Sequence, residues 1–372
     1  MIEATIGGTR KHVVDAARGQ RRRGLDVWLA ASAEREPAFR ADLGALASEG
    51  VEVREIPMAR QIRPGRDLAH LRALSELVRE ARPDVVHTHS SKAGVLGRLA
   101  SLDAGCGARV HTPHTFAFLF GAMFGPLTRR LYREIESALA GATERMVAVS
   151  PGEAESFRAS GIVAGEKIRV VPNGIDPAPW LAARPAELAS LGVPEGAPVA
   201  AVIGLLNVAK GQDLALRALA RAGLERVHLL VAGHGAQRAE LERLASELGL
   251  APRVHMLGWR DDVPALVAAS DVVLVPSRWE GLPYAALEAM AAAKPVVATR
   301  VDGARDVVLD GQSGRLVAPE SPEELGDALA EVLALSPAER ERWGLAGRER
   351  VLARFTLERM LDLLLGVYAE VA

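Results

Sequence analysis

The sequence predicts an α/β protein made of two doubly wound parallel-sheet domains. Three observations predict it. Short runs of Val, Ile and Leu recur between helix-length segments, they fall into two series on either side of a turn-rich stretch, and 372 residues exceed the roughly 250–300 at which a single hydrophobic core stops growing.

The first series comprises "DVWLAAS" from residue 26, "VEVREIP" from 51, "DVVHTHS" from 84, "ARVHTPH" from 108, "RMVAVSP" from 145 and "KIRVVPN" from 167. The second comprises "PVAAVIGLL" from 198, "VHLLVAG" from 227, "RVHMLG" from 253, "DVVLVPS" from 271, "PVVATR" from 295 and "SGRLVAP" from 313. Apolar runs bounded by turn residues and spaced by helices read as buried parallel strands in βαβ units. Between the series, "VVPNGIDPAPW" (170–180) breaks both helical and strand patterns with Asn-Gly and prolines. It places a hinge between an N-terminal domain over 1–172 and a C-terminal domain over 173–352. The last segment, 353–372, is expected to be a helix that returns to the N-terminal domain. In such sheets ligands bind beyond the carboxyl ends of the strands, so two facing domains put the active site in the cleft between them.

Composition narrows the class. Hydrophobic residues make up 49% and charged residues 25%, as in a soluble globular protein rather than a disordered or fibrous one. The one cysteine, Cys106, cannot form an internal disulfide; it sits in the turn "DAGCGAR" as a passive thiol, and a reducing, cytoplasmic setting follows. The N-terminus has no apolar core of signal-peptide length, and no stretch reaches the ~20 apolar residues of a membrane span. The net charge of -2 points to no nucleic-acid partner. Residues 1–170 nevertheless hold 25 Lys+Arg against 20 Asp+Glu, a mildly basic half that favours an anionic membrane surface.

"SRWEGLPYAALEAM" (277–290) carries Glu280 and Glu288 around Gly281-Leu282-Pro283. Pro283 suits the first turn of a helix starting at Leu282-Pro283, where its missing N–H costs nothing. The N–H groups from Gly281 and Leu282 onward then form an anion site for a phosphate or diphosphate, with Glu280 at its mouth. Glu288 lies in a helix apolar nearly all round. If buried it needs a partner, which sugar hydroxyls supply; the other reading is a carboxylate facing solvent beside a loop charge at Glu280.

The segment "EGLPYAALEAMAAAKPVVAT" resembles the E-x7-E signature of the retaining, family 4 glycosyltransferases of the two-Rossmann-domain (GT-B) fold. Other landmarks match in order: "GGTRKH" the glycine-rich first loop, "HTPH" the histidine-bearing loop, "VVPNGID" the domain junction, and "AKG", "AGHG", "LGWRDDV" and "DGQSGRLV" the nucleotide domain. The resemblance spans essentially the whole chain, with the flavour of bacterial exopolysaccharide, capsule and lipopolysaccharide enzymes. It implies a donor that is a nucleotide-diphosphate sugar, UDP- or GDP-linked, with no other cofactor, and a glycan or polyprenyl-diphosphate-linked acceptor.

The resemblance also implies roles by position. Glu288 would hold the ribose hydroxyls, and Glu280 those of the donor sugar. Gly281 and Leu282 would offer backbone N–H groups, and Lys210 would neutralise the departing diphosphate. Gly258 to Val263, Asp262 included, would hold the base. His114 would lie against the transferred sugar, and Gly7 and Gly8 would let the first loop approach donor or acceptor closely. No D-x-D triplet occurs, so a divalent metal is not required. The alternatives are a nucleotide-sugar epimerase of the same fold and a catalytically silent glycan-binding scaffold.

The chain departs from the pattern at three places. The arginine usual before "L-x-x-x-K-G" is absent, the sequence reading Gly204-Leu205-Leu206. Loss of that charge-assisted phosphate bond removes ~1.5–3 kcal/mol of stabilisation unless Arg10 or another cation substitutes. His234 replaces the acidic residue common in the "G-x-G" turn, and only "MIEATI" precedes the first glycine loop. His87, His89, His111 and His114 admit a metal reading if two strand ends converge, but no cysteine or evident carboxylate joins them, and structural or substrate-contacting roles are the other reading. Finally, "TFAFLFGAMFGPLTRRLYR" (115–133) sets Phe116, Phe118, Phe120 and Phe124 before Arg129, Arg130 and Arg133. It reads either as a contact with the cytoplasmic face of the inner membrane or as core beneath the active site.

Overall fold

Each of the twelve predicted runs contains a strand in the computed structural model, which describes residues 7–34, 36–59, 61–119 and 124–372. The strands are β1 (Trp28–Ala31), β2 (Glu52–Glu55), β3 (Val85–His89), β4 (Ala108–Thr112), β5 (Arg145–Ala148), β6 (Ile168–Val170), β7 (Val199–Ile203), β8 (His228–Ala232), β9 (Val254–Gly258), β10 (Val272–Val275), β11 (Val296–Thr299) and β12 (Gly314–Val317). Every pairing between them is parallel. The short N-terminal run "MIEATI", Phe120 and the residues next to it lie outside the described residues.

Two units divide the chain: Met1–Gly174 with Leu357–Ala372, and Ile175–Thr356. The first holds helices α1 (Gly8–Arg22), α2 (Phe39–Ser48), α3 (Pro64–Ala81), α4 (Ser91–Ala104), α5 (Pro126–Ala140) and α6 (Pro151–Ser160). Its described strands form a pair, β1-β2, and a four-stranded sheet in the order β3-β4-β5-β6. The second holds α7 (Ala178–Leu181), α8 (Gln212–Leu219), α9 (Arg238–Glu247), α10 (Val263–Ala269), α11 (Tyr284–Ala291), α12 (Asp302–Val307), α13 (Pro322–Ala334) and α14 (Pro337–Arg354) around one six-stranded sheet. A last helix, α15 (Leu357–Ala369), belongs to the first unit.

The order of the six-stranded sheet, β12-β11-β10-β7-β8-β9, is that of a doubly wound fold: successive strands step outward from β7 to β9, then return to β7's other side at β10 and step outward again. Strands covered on both faces must be apolar throughout, and the four residues of β10 and of β11 are all buried. α15 completes the first unit by packing Met360, Leu364 and Val367 with Val110, Val147 and Val171.

One charged pair lies wholly inside the first unit. Arg98 on α4 is 0% exposed; its guanidinium donates to Glu136 on α5 at 2.7 Å and to the Gly94 carbonyl at 2.8 Å. Removing one member strands the other in a low-dielectric core, which costs about 3–5 kcal/mol. Glu136→Ala is therefore expected to lower the first unit's unfolding midpoint sharply in thermal or urea denaturation, whereas Glu76→Ala, at an exposed position of α3, leaves it near that of the wild type.

Candidate active site

In the second unit the site is set by its two central strands. Chain order reverses between β7 and β10, so the loops leaving their carboxyl ends diverge and open a crevice. Lys210 stands in the loop after β7 and Glu280 in the loop after β10. They meet: Lys210 Nζ lies 2.5 Å from Glu280 Oε1, and Ser277 Oγ donates to the same oxygen at 2.8 Å. The two residues expected to serve diphosphate and sugar separately are thus ion-paired with each other here.

The backbone makes that meeting exact in register. Asn207 caps the turn at Val208–Lys210 by accepting from Lys210 N. Gly211 then turns at φ 63°, where a Cβ would stand 2.0 Å from the Pro276 carbonyl oxygen, so only glycine lets the two loops touch. Arg278 N donates to the Ala209 carbonyl at 2.8 Å, and the Arg278 guanidinium to the Val208 carbonyl at 3.0 Å. That guanidinium also grips both oxygens of Asp213 at 2.8 Å and reaches Glu320 at 2.6 Å, and these carboxylates raise its pKa further above the ordinary arginine value. It is a clamp rather than a cation left over for a phosphate. Arg10, considered as a substitute for the arginine missing at Leu205, is also engaged, with Asp42 and Glu36 each at 2.7 Å.

The helix after Glu280 begins later than expected. α11 runs from Tyr284, so Pro283 is its N-cap, with ψ 114°, and not a first-turn residue; Gly281 and Leu282 lie in the preceding loop. No side chain caps the helix and its first turn holds no acidic residue. The loop is pinned by α12, where a Cβ on Gly303 would fall 2.1 Å from the Gly281 carbonyl oxygen. Glu288 sits midway along α11 among Ala286, Leu287, Ala289 and Met290, all fully buried, but is itself half-buried rather than enclosed. Gly258 ends β9 at φ 70°; exposed Asp262 is bound by Arg260 at 2.6 Å, and Val263 opens α10. Trp259, 61% exposed, stands beside the His234 ring at 5.3 Å between centroids.

In the first unit, Gly7 (φ 77°) is the N-cap of α1 and Gly8 its first residue, both exposed. Three of the histidines sort by strand parity, and His114 follows the end of β4. His111 lies opposite Thr88 on one face of the sheet, its Nδ1 2.9 Å from Thr88 Oγ1, with its ring against Gly94 of α4. His87 and His89 lie on the other face. His87 contacts the Tyr368 hydroxyl at 2.7 Å and Thr112 Oγ1 at 2.8 Å, while His89 Nδ1 is 3.2 Å from His114 Nε2. His12, one turn into α1, joins them with its ring 5.2 Å from that of His89 and 4.9 Å from that of His114. Sequence reasoning passed over His12, although it ends the "GGTRKH" loop.

His114 and Thr115 both take positive φ, 51° and 76°, a strained pair for non-glycine residues. Buried Glu153 holds them there, its carboxylate accepting from Thr115 N at 2.5 Å and from Val149 N at 2.6 Å. Phe116 and Phe118 are buried in a core with Phe157, which removes them from any membrane contact. Arg129 and Arg133 bind the backbone carbonyls of Phe118 and Ser160, each at 2.7 Å. Exposed on α5 are Arg130, Leu127 (85%) and Leu131 (50%).

Two family models cover the chain: Glycosyltransferase Family 4 matches residues 6–179 and Glycosyl transferases group 1 matches 183–350. An Escherichia coli relative, a UDP-Gal:alpha-D-GlcNAc-diphosphoundecaprenol alpha-1,3-galactosyltransferase, is 31% identical over 70% of this chain and 69% of its own. A D-inositol 3-phosphate glycosyltransferase of Saccharomonospora viridis is 32% identical over 98% of this chain and 89% of its own. Among solved structures, Anabaena HepE with UDP-glucose superimposes with a TM-score of 0.83 at 23% identity, covering 99% of this chain and 98% of that one. WaaG, a glycosyltransferase involved in lipopolysaccharide biosynthesis, gives 0.75 at 21%, covering 100% of both. The fold and site define a two-Rossmann-domain sugar-transfer enzyme working from a nucleotide-sugar donor. The chain belongs to the family 4 glycosyltransferases of group 1.

Burial sets a pH dependence that needs no substrate. Desolvation, and then the Arg98 charge, push the pKa of His111 well below its ordinary 6.5. Below pH 6.5 the unfolded chain binds a proton there that the folded chain refuses, so this contribution is whole above 6.5 and is lost as pH falls. His111→Asn is expected to make the acid-side decline of stability shallower by up to about 1.4 kcal/mol per pH unit, read from urea unfolding at a series of pH values.

Proposed function

We propose that the enzyme transfers a hexose from a UDP-linked donor, with retention of anomeric configuration, to a hydroxyl of a polyprenyl-diphosphate-linked glycan. The observation that carries the reading is the convergence of Lys210 and Glu280 from β7 and β10, the strands at the reversal point of a doubly wound sheet. The E. coli relative, named for a UDP-galactose donor and a diphosphoundecaprenol-linked acceptor, supports both the uridine and the lipid-linked acceptor.

Free of donor, Lys210 and Glu280 neutralise one another. A bound diphosphate takes over the ammonium, and the released carboxylate turns to hydroxyls of the donor sugar, with Ser277 still donating to it. As the sugar–phosphate bond breaks, negative charge grows on the leaving diphosphate, and a fixed cation beside it stabilises the transition state more than the ground state. The uncapped N-terminus of α11 adds partial positive charge, the Gly281-Leu282 loop leads into it, and Glu288, about one turn into the helix, takes the ribose hydroxyls. Gly258 to Val263 holds the base, His114 faces the sugar, and Gly7 and Gly8 admit the substrate to the N-terminus of α1. The sequence's lack of a D-x-D triplet fits a reaction in which these groups do the work of a metal.

UDP release from UDP-hexoses should require a polyprenyl-diphosphate-linked acceptor. Tight UDP binding with no turnover for any donor and acceptor would make the chain a binding scaffold instead. Lys210→Ala is expected to lower kcat about 10²–10³-fold with a smaller change in KM, and near-wild-type turnover would remove Lys210 from the leaving-group role.

No helix among the described residues is long and apolar enough to cross a membrane, and a lipid-linked acceptor is presented at a membrane surface. Exposed Leu127 and Leu131 with Arg130 on α5 are the groups for that contact. Flotation with liposomes containing anionic lipid should recover the enzyme, and Leu127→Glu with Arg130→Glu should abolish recovery; unchanged flotation in the double variant moves the contact elsewhere.

A further inference from the structure

Sugar transfer accounts for one imidazole of the cluster in the first unit and leaves the others unexplained. His12 from α1, His89 from the end of β3 and His114 from the loop after β4 each bring a ring nitrogen to one point, and these atoms all lie within 4.8 Å of one another. His12 is 1% exposed. Its Nδ1 is 2.9 Å from Asn173 Oδ1, and its Nε2 is buried with no hydrogen-bond partner. We propose that His12, His89 and His114 form a binding site for one borderline divalent transition-metal ion of the zinc class, with three imidazole ligands and a fourth position open.

Three features carry the assignment. Asn173 accepts from His12 Nδ1, which fixes the tautomer with the Nε2 lone pair toward the other two rings; a ligating histidine is oriented in this way by the partner of its other nitrogen. The His89 Nδ1 to His114 Nε2 distance, 3.2 Å, is close to the roughly 3.4 Å that two nitrogens on one tetrahedral ion require at bond lengths of about 2.1 Å. The proton these two nitrogens share passes to the outer nitrogen of its own ring when both become ligands, so no net charge or redox change is needed. His12 and His89 are also buried, at 1% and 5% exposure, which keeps bulk water from competing for their nitrogens. His87 lies tilted against His89 at 4.2 Å between centroids, but its two nitrogens are engaged by Tyr368 and Thr112, which makes it a wall and not a ligand. An all-imidazole donor set selects Zn²⁺, Co²⁺, Ni²⁺ or Cu²⁺ over Mg²⁺ or Ca²⁺.

The test uses the full chain without a histidine tag, stripped with chelator and titrated with ZnCl₂ by calorimetry. One equivalent per chain is expected. His12→Asn and His89→Asn should each weaken binding by more than the roughly 10–100-fold caused by loss of an outer partner, and Asn173→Ala should fall within that range. His255→Asn, which breaks the separate His228–His255 contact in the second unit, should leave binding unchanged. X-ray absorption on the zinc-loaded wild type needs no variant to fold and should show three imidazole nitrogens at roughly 2.0–2.1 Å. No uptake of zinc, a shell of oxygen alone, uptake insensitive to His12→Asn and His89→Asn, or uptake lost with His255→Asn would each overturn the site.

Discussion

The reversal of strand order between β7 and β10 is the constraint on which the second unit's chemistry depends. Parallel strands wound outward in both directions send every other pair of neighbouring loops to the same side, where they cover one another. Only at the reversal do the loops part. That gap would be useless without side chains able to reach across it, and the chain supplies them by tight backbone contact: Gly211 against Pro276, Arg278 against Val208 and Ala209, and Gly303 against Gly281. Lys210 and Glu280 are therefore positioned by main chain, and their pairing follows from where the strands end.

The first unit gathers its strand-end side chains with a different chemistry. Its strand ends carry neutral imidazoles instead of an ion pair, and the backbone there is strained. His114 and Thr115 hold left-handed conformations because Glu153, deep in the fold, accepts from the amides of Thr115 and Val149. A buried carboxylate is an expensive way to shape a loop, and its presence shows how closely the direction of the His114 ring is specified.

Much of this was legible in the sequence, for a physical reason. A strand covered on both faces must be apolar, and turn residues must interrupt it, so "DVVLVPS" and "PVVATR" announce β10 and β11 without knowledge of their neighbours. What the sequence withholds is pairing. Lys210 and Glu280 stand 70 residues apart, and only the sheet order brings them together. Arg10 reads as a spare cation until Asp42 and Glu36 are seen around it, and Phe116 and Phe118 read equally well as membrane anchors until Phe157 is found beside them. Pro283 was misplaced by one position because proline suits a helix's first turn and its cap almost equally, and nothing local decides between them. His12 was missed since a lone histidine in an arginine- and lysine-rich helix start has no pattern; its partners come from two strands that lie far along the chain.

The passage of α15 back to the first unit gives that unit a discontinuous sequence. Val110, Val147 and Val171 are capped by Met360, Leu364 and Val367, and Leu361 fills the space left by Gly19. During synthesis the second unit, residues 175–356, is complete before these side chains leave the ribosome. The first unit must wait with one apolar flank uncovered, so the order of translation and the order of folding are opposed: the domain that is made first is finished last.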